Sequence, residues 1–501
     1  MLRVLLFGLS LLAALPTSAT EFVFQHEHVL GSSLELRVEA PTLHAARQAE
    51  RAALDEIDRL AKVLSRHDRG SELVRWQQPS FRGTLSDDLQ SVLLRAEHWR
   101  RKTAGAFDPR AGALTQLWRQ ASLRGVAPSL AQRRALVEQL AGKPFTLSDG
   151  HLERLDTMEL SLDALGKGYI LDAAAQAAAA STNEVVGVTV NIGGDLRHVG
   201  AGGETVHIVD PLRPFEGAKP LQTVELDGPF AMATSGTYRR FVGEGTDRVP
   251  HIFDPRSGLP VADVVSATVL ASNAMDADAI ATALSVLTAA EGLALVEPLQ
   301  QTEALVQLAS GQVLATSGWP SRPVSPPREP SATNDGAKAP GLYVDFTVNR
   351  PKSKGSYRRP YLAVWLEDSD GFPVKTAVLW MQTEDPGPRW HRDLLRWYRN
   401  DRMRKLAGEP ELIGSISGAT RGPGEYKAFF DGTDTLGNAL PPGEYTLCLE
   451  AAREHGTYQI IRSKVTLGED ALKRTELEGN IEISAASYEY VPPSASATRV
   501  R

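Results

Sequence analysis

The 501-residue chain has a single cysteine, Cys448. It therefore cannot form an internal disulfide or a cysteine cluster for zinc or iron and sulfur, so its chemistry must use oxygen and nitrogen ligands. The sequence also lacks an excess of positive charge, since 54 Lys and Arg stand against 61 Asp and Glu, a formal net charge of −7. Nucleic acid, which is bound through neutralised phosphates, is not an expected partner.

The sequence has little that could cross a bilayer. The apolar run Val4 to Leu15 is shorter than the roughly 20 residues that a transmembrane helix needs. It follows a positive charge and precedes the small residues at 17–19, an order that predicts a secretory signal peptide cleaved after Ala19. A buried N-terminal helix or an uncleaved anchor is the alternative. We expect an exported protein in the periplasm, without a lipid anchor because Thr20 follows where a lipoprotein has cysteine.

The amino-acid composition is typical of folded domains, and the length of 501 residues suits two to four domains. Helical periods, as at 44–64, alternate with strand-like runs, as at 264–270, which predicts an α+β domain over residues 20–316. Residues 317–341 are rich in Pro, Ser and Gly and predict a linker.

Beyond the linker, short strand-like runs separated by Gly, Pro and Asp turns predict a mostly-β sandwich over 342–468. Residues 469–501 are interpreted as a C-terminal tail. Four tryptophans in the sandwich are either core residues, which we favour, or a binding surface; they are Trp365, Trp380, Trp390 and Trp397.

A possible metal site lies in the segment 271–287. Asp278 and Thr282 are four residues apart, so on a helix they project from one face. A carboxylate beside a hydroxyl is a pair of hard oxygen donors of the kind that Mg²⁺ prefers. An acidic residue at a helix start and a solvated threonine would explain the pattern equally well.

Two glycine-containing segments predict an anion site. Lys167 lies between Gly166 and Gly168 at the start of a predicted helix, where backbone N–H groups favour a phosphate. Gly193 and Gly194 follow a predicted strand and permit close backbone approach. A loop with a solvated lysine and an ordinary tight turn are the alternatives.

Three further loops carry polar or aromatic side chains. The loop 251–260 has His251, Asp254 and Arg256, and 233–241 has Ser235, Gly236 and Arg239. The two arginines are candidate phosphate partners. The loop 105–109 has Ala106, Phe107 and Asp108 in a turn. A surface histidine and simple turn packing are the alternatives.

In order, the segments GAFDP, LGKGY, NIGGD, ATSGTYRRF, HIFDPRSG and AMDADAIAT resemble those of the ApbE family, the FAD:protein FMN transferases, over about residues 25 to 315. The resemblance implies an enzyme that binds FAD with Mg²⁺ on the diphosphate. It would transfer FMN to a Thr or Ser hydroxyl of an acceptor protein through a phosphoester bond and release AMP. A periplasmic or membrane redox protein is the implied acceptor.

The resemblance also implies residue roles. It assigns Mg²⁺ to Asp278, Thr282 and the carbonyl of Gly166, where the family usually has Ala. His251 lies beside the reacting phosphate, and it or a nearby carboxylate is the implied base. The implied FAD contacts are Leu30, His67, Ala106, Phe107, Asp108, Ser161, Asp163, Lys167, Gly193, Gly194, Ser235, Gly236 and Arg256.

Three of these positions differ from the usual family residues. Ser161-Leu-Asp163 replaces Asp-Leu-Gly, so Asp163 is the carboxylate expected near the flavin. Leu30 replaces a common Met, and His67 a frequent Tyr. An FAD diphosphatase using the same metal, and a non-catalytic flavin-binding module that docks a redox partner, are the alternative functions.

The predicted sandwich resembles an uncharacterised domain family of predicted periplasmic redox systems. Within it, Ser417 to Thr420 is similar to the Ser/Thr-Gly-Ala-Thr part of the acceptor motif, without the upstream Asp. Self-flavinylation at Thr420 is therefore one possibility, and an ordinary glycine-rich turn is the other.

Overall fold

The computed structural model describes residues 19–148, 151–214, 218–238, 241–242, 249–320, 338–351, 358–382, 387–406, 412–418, 420–453 and 457–493. The predicted signal peptide before Ala19 and most of the predicted linker lie outside these residues. The first domain is the part of the chain before the predicted linker, and the second domain is the part after it.

Eight helices lie in the described part of the first domain. They are α1 (Leu43–Leu64), α2 (Glu72–Trp76), α3 (Asp87–Lys102), α4 (Gly112–Leu123), α5 (Leu130–Ala141), α6 (Gly166–Ala179), α7 (Ala274–Val286) and α8 (Ala289–Val296). Thr42 caps the start of α1, and one apolar stripe of this helix is buried, as its period predicts.

The first domain is built on an antiparallel sheet of eight strands in the order β1-β2-β5-β6-β9-β12-β13-β14. The first-domain strands are β1 (Thr20–Val29), β2 (Ser32–Ala40), β3 (Phe145–Ser148), β4 (His151–Arg154), β5 (Gly187–Ile192), β6 (Asp195–Gly200), β7 (Gly203–Ile208), β8 (Gln222–Asp227), β9 (Phe230–Gly236), β10 (Phe241–Val242), β11 (Val249–Pro250), β12 (Val264–Ala271), β13 (Glu303–Leu308) and β14 (Val313–Ala315). The predicted α+β class is confirmed.

Helices α1, α6 and α7 pack against one face of this sheet and form the main core with it. The hairpin β7–β8 contributes to a smaller apolar cluster with β6, β9 and β13. Trp319 joins that cluster and donates from Nε1 to Gln222, 3.0 Å away. The first residues of the predicted linker therefore pack onto the first domain.

The second domain is a sandwich of two four-stranded antiparallel sheets, β18-β15-β22-β21 and β17-β16-β19-β20. Its strands are β15 (Gly341–Val348), β16 (Tyr361–Glu367), β17 (Pro373–Trp380), β18 (Gly424–Phe430), β19 (Gly443–Ala452), β20 (Tyr458–Leu467), β21 (Leu472–Leu477) and β22 (Ile483–Val491). The interpretation of residues from 469 onward as a tail is wrong for β21 and β22. β22 pairs along β15, and its alternate residues enter the core.

Helical structure was not predicted between β17 and β18, where the chain forms a 3₁₀ segment (Gly387–Asp393), α9 (Leu395–Leu406) and α10 (Ile413–Ile416). These segments cover the outer face of β16, β17 and β19 and bury Trp365 and Trp397 there. Trp380 lies in the core between the sheets. The expected core role is confirmed for these three tryptophans.

Among the described residues, no helix has the length and apolar character needed to span a membrane.

Candidate functional site

The site begins at the N-terminus of α7, which two side chains hold in place. Asn273 accepts a hydrogen bond from the Asp276 N–H at 2.8 Å. Asp172, on α6, accepts hydrogen bonds from the N–H groups of Ala274 and Met275 at 2.9 and 3.0 Å. A carboxylate at this end satisfies otherwise unpaired donors and matches the positive end of the helix dipole. Asp172 thus fixes α7 directly onto α6.

A glycine allows the two helices to touch. A β-carbon on Gly168 would lie 2.2 Å from the carbonyl oxygen of Ala274, a distance that real side chains do not tolerate. Gly166 differs, because an added β-carbon would meet Leu162 at 3.4 Å, an ordinary contact. The alanine usual in the family would therefore fit at residue 166, whereas residue 168 must be glycine.

Asp278 is the most perturbed carboxyl of the site. It is 6% exposed, and its Oδ2 is buried without a hydrogen-bond partner. Burial, with the negative charge of Asp195 as the next cause, raises the pKa of Asp278 to about 7. The positive charge of Lys167 and a hydrogen bond from the Gly168 N–H act in the opposite direction. The start of α6 and the middle of α7 therefore meet at this carboxyl.

Lys167 and Asp195 form an ion pair beside Asp278. Asp195 is 3% exposed, and its Oδ1 accepts a hydrogen bond from Thr234 N at 3.1 Å. It follows the turn between β5 and β6, in which Gly193 and Gly194 have φ of +65° and +101°. That backbone conformation favours glycine, which explains why two adjacent glycines occur here. The turn formed by the two glycines thus places Asp195 in the site. The sequence analysis had not selected this residue.

The remaining oxygen donors come from α7 and β9. The hydroxyls of Thr282 and Ser235 lie 3.2 Å apart. Thr282, one helical turn after the other predicted ligand Asp278 on α7, therefore lies beside Ser235 of β9. Gly236 beside them has a packing reason, because a β-carbon there would lie 2.6 Å from the Tyr238 ring.

These residues fit a hard divalent cation. An unpartnered buried carboxylate oxygen gains from a positive charge, and the carboxylate and hydroxyl donors are those that Mg²⁺ accepts. Within the described residues, no group of three or more His, Cys, Asp or Glu is placed to hold a metal. A cation here would therefore depend on one carboxylate, neutral oxygens and the oxygens of a bound ligand, as is common for Mg²⁺ on a diphosphate.

The side chains of the predicted FAD-binding turn make mostly structural contacts within the first domain. Ala106 and Phe107 are buried. The carboxylate of Asp108 accepts hydrogen bonds from Nε and Nη2 of Arg110, at 3.0 and 2.8 Å. The Arg110 side chain is fully buried and also donates to the carbonyls of Leu140 and Gly142. The Asp108 side chain therefore has a structural partner, and sequence reasoning missed Arg110 two residues away.

Ser161 and Asp163 lie between this turn and α6. The Ser161 N–H donates to the Pro109 carbonyl at 2.8 Å. The exposed Asp163 pairs with Arg66 at 2.7 Å, and its negative charge contributes to raising the pKa of Asp278. His67 is exposed nearby in the chain. The expected contact of Asp163 with the flavin stays a prediction.

Leu30 occupies a strained position. It has φ of +49° in the two-residue turn between β1 and β2 and is 37% exposed. A leucine rarely adopts this left-handed conformation. Such outliers are more frequent at functional sites than elsewhere.

The loop with His251 and Arg256 lies beside the Asp108 turn. Arg256 pairs with Asp254 through two hydrogen bonds of 2.9 and 3.1 Å, and its Cγ is 3.9 Å from the β-carbon position of Gly105. His251 is half-buried and directly follows β11. Arg239 lies outside the described residues.

A second acidic residue of the AMDAD motif has a structural role. Asp276 accepts hydrogen bonds from Arg95, from Trp99 Nε1 at 2.7 Å and from Asn273 at 2.8 Å. These contacts keep the pKa of Asp276 low despite its burial. Asp276 anchors α3 to α7, two residues before the candidate metal ligand Asp278.

Comparison with known proteins identifies relatives of the first domain. A protein of Vibrio cholerae named FAD:protein FMN transferase is 31% identical over 260 residues, which are 49% of this chain and 76% of that protein. Proteins of the same name from Treponema pallidum and Escherichia coli K12 are each 28% identical, over 58% and 54% of this chain and 86% and 80% of their own lengths.

Structural and family comparisons agree with these relatives. The crystal structure of the ApbE protein of Thermotoga maritima matches with a TM-score of 0.52 and 25% identity, covering 60% of this chain and 97% of that one. Residues 342–485 match a family described as predicted periplasmic protein (DUF2271). The ApbE family model matches residues 30–306, more than half of the chain. The chain belongs to the ApbE family.

Proposed function

We propose that this chain is an FAD:protein FMN transferase, which moves FMN from FAD to a Thr or Ser hydroxyl of an acceptor protein. The observation that carries the proposal is the buried, unpartnered Asp278 carboxylate oxygen beside Thr282 and Lys167, in a chain of the ApbE family. The relatives named FAD:protein FMN transferase support the same activity.

In this proposal Asp278, Thr282 and the Gly166 carbonyl hold Mg²⁺, which supplies charge neutralisation on the diphosphate when bound. Lys167 lies at the N-terminus of α6, where its charge and the helix N–H groups attract phosphate oxygens. Asp195 pairs with Lys167 and so holds its ammonium group beside Asp278. An acidic chain would thereby bind an anionic dinucleotide through the metal, Lys167 and the helix N–H groups, and not through a positive field of the whole chain.

The reaction is a phosphoryl-type transfer with a balanced exchange of bonds. The acceptor hydroxyl oxygen forms a bond to the phosphorus of the FMN half, and the bond from that phosphorus to the bridging diphosphate oxygen breaks. AMP departs with the bridging oxygen, and the hydroxyl proton passes to a base. His251 is the proposed base, because an imidazole titrates near neutral pH, and a nearby carboxylate is the alternative.

The acceptor is proposed to be another protein. Thr420, the candidate self-acceptor, is 8% exposed and its carbonyl accepts a hydrogen bond from Arg359. A buried hydroxyl cannot reach the phosphorus of a bound FAD without local unfolding. The predicted signal peptide and the match of the second domain to a predicted periplasmic family support an exported enzyme that acts on an exported redox protein.

The test compares products with and without an acceptor. The chain would be incubated with FAD and Mg²⁺, alone and with a domain carrying an Asp followed by a Ser/Thr-Gly-Ala-Thr segment. We expect AMP release that requires the acceptor, with one FMN added to its mass. Equal release of FMN and AMP without acceptor would instead establish the diphosphatase. FAD binding without AMP release under either condition would indicate a binding module.

A further inference from the structure

The second domain carries a strongly basic segment to which the proposed function gives no role. Residues 387–406 contain seven basic and two acidic side chains, a net charge of +5 in a chain whose total is −7. The segment comprises the 3₁₀ turn and α9 on the outer face of the sandwich. Such local reversal of charge sign is the electrostatic footprint of an anionic partner.

The inner face of this segment is fixed to the sheet. Leu394 and Trp397 are buried in the outer apolar cluster. The buried Glu367 on β16 accepts hydrogen bonds from Arg396 at 2.6 and 2.7 Å and from Asn400 at 2.7 Å. These contacts hold α9 in one orientation, so its outer face is a permanent surface of the domain.

The outer face consists of Arg392, Leu395, Arg399 and Arg402, and we name it the arginine face. All four are exposed. Leu395, Arg399 and Arg402 lie on one side of α9 because they are four and three residues apart, and Arg392 lies in the 3₁₀ segment just before this helix. Within the described residues, no ion pair or hydrogen bond involves the three arginine side chains. The carboxylates of the segment lie elsewhere, since Asp401 is buried and Asp393 is half-buried.

Two apolar side chains accompany these charges. Leu395 is 59% exposed in the middle of the arginine face. Trp390, at the preceding turn, is half-buried with the Arg389 guanidinium 4.6 Å from its ring centroid. Arginines around an exposed leucine and an amphipathic tryptophan are typical of helices that lie in a lipid headgroup layer.

We propose that the arginine face binds the surface of a membrane that contains anionic phospholipids. A lipid surface supplies anionic headgroups at any spacing, so a convex row of arginines needs no shape complementarity to engage it. The exposed Leu395 adds a contact with the acyl boundary. The second domain would thereby concentrate the catalytic domain at the membrane, where membrane-bound acceptor proteins lie. An acidic protein is the rival partner.

The test is co-sedimentation of residues 20–501 with vesicles, so that the apolar N-terminal run cannot contribute. Phosphatidylcholine vesicles with and without phosphatidylglycerol would be compared. We expect binding only to the anionic vesicles and its release by salt. Replacing Arg392, Arg399 and Arg402 by Gln should weaken binding about a hundredfold, since each charge contributes about fivefold. Circular dichroism should show an unchanged fold, because the three side chains are exposed.

A matched triple variant separates a local surface from a net-charge effect. The control replaces three exposed arginines of the first domain by Gln: Arg119 on α4, Arg134 on α5 and Arg124 between these helices. This variant loses the same charge as the arginine-face variant and should bind vesicles as the natural chain does. Equal loss in both triple variants, equal binding to neutral vesicles, or binding of an acidic protein without vesicle binding would each overturn the proposal. FMN transfer to a soluble acceptor should be unaffected by the arginine-face variant, which separates this result from that of the proposed function.

Discussion

Gly168 and Ala274 are in backbone contact, with only 2.2 Å between the β-carbon position of residue 168 and the carbonyl oxygen of residue 274. This contact joins the helix that starts with Gly166 and Lys167 to the helix that carries Asp278 and Thr282. The relative position of the candidate metal ligands therefore depends on a residue that has no side chain.

Gly168→Ala should destabilise the first domain by about 3 kcal/mol or more, because backbone atoms on both helices must move. Mg²⁺ affinity, measured by titration calorimetry with FAD present, should fall in any folded fraction. Gly112→Ala is the control, since a β-carbon there meets nothing within 4 Å at the start of α4. Equal unfolding midpoints for both variants in urea would show that the helix contact is not tight.

Asp172→Ala should cost about 2 kcal/mol of stability, because it leaves two N–H groups at the N-terminus of α7 unpaired and removes a partner of Arg197, 3.1 Å away. Thermal unfolding would measure the loss. Asp58→Ala, an exposed position on α1, should change stability by less than about 0.5 kcal/mol. If the two variants unfold alike, Asp172 does not anchor α7.

The buried Asp278 predicts a pH dependence of the metal-free protein. Its pKa is about 7 when folded and 3.8 when unfolded, so between these values the folded state binds more protons. This group's contribution to stability is therefore lost as pH rises through this window, by about 1.4 kcal/mol per pH unit. The difference in urea unfolding free energy between the natural chain and Asp278→Asn, measured with chelator at several pH values, should follow this slope. A constant difference would mean that Asp278 titrates normally.

Arg110→Met should destabilise the first domain by about 3 to 5 kcal/mol, because it leaves the buried Asp108 carboxylate without its cation. Denaturant unfolding would measure this loss, and the exposed Arg124→Met should be nearly neutral. A neutral Arg110→Met would restore Asp108 as a candidate for direct FAD contact.

The sequence predicted those parts of the molecule that depend on local pattern. The buried stripe of α1 and the sandwich strands β15 to β19 follow from periodicity and appear as expected. The helix that places Asp278 and Thr282 one turn apart also appears as expected. A tight turn was one of the two interpretations of the glycines before Asp195, and the structure has a turn there. These features require only neighbours along the chain.

Contacts between distant segments were not predictable in this way. Arg110 satisfies carbonyls about 30 residues away, and Asp172 caps a helix that begins about a hundred residues later. The last strand, β22, resembled a frayed end because the segment is rich in small and polar residues, although five of its nine residues are buried. Only its pairing with β15, more than a hundred residues earlier, reveals that it completes a sheet.

The central claim is that Asp278 holds the metal that drives FMN transfer to another protein. The most direct measurement is in-gel flavin fluorescence and intact mass of an acceptor domain after incubation with FAD, Mg²⁺ and either the natural chain or Asp278→Ala. We expect one covalent FMN on the acceptor with the natural chain and none with the variant, with labelling prevented by chelator. Full labelling by Asp278→Ala would contradict the account.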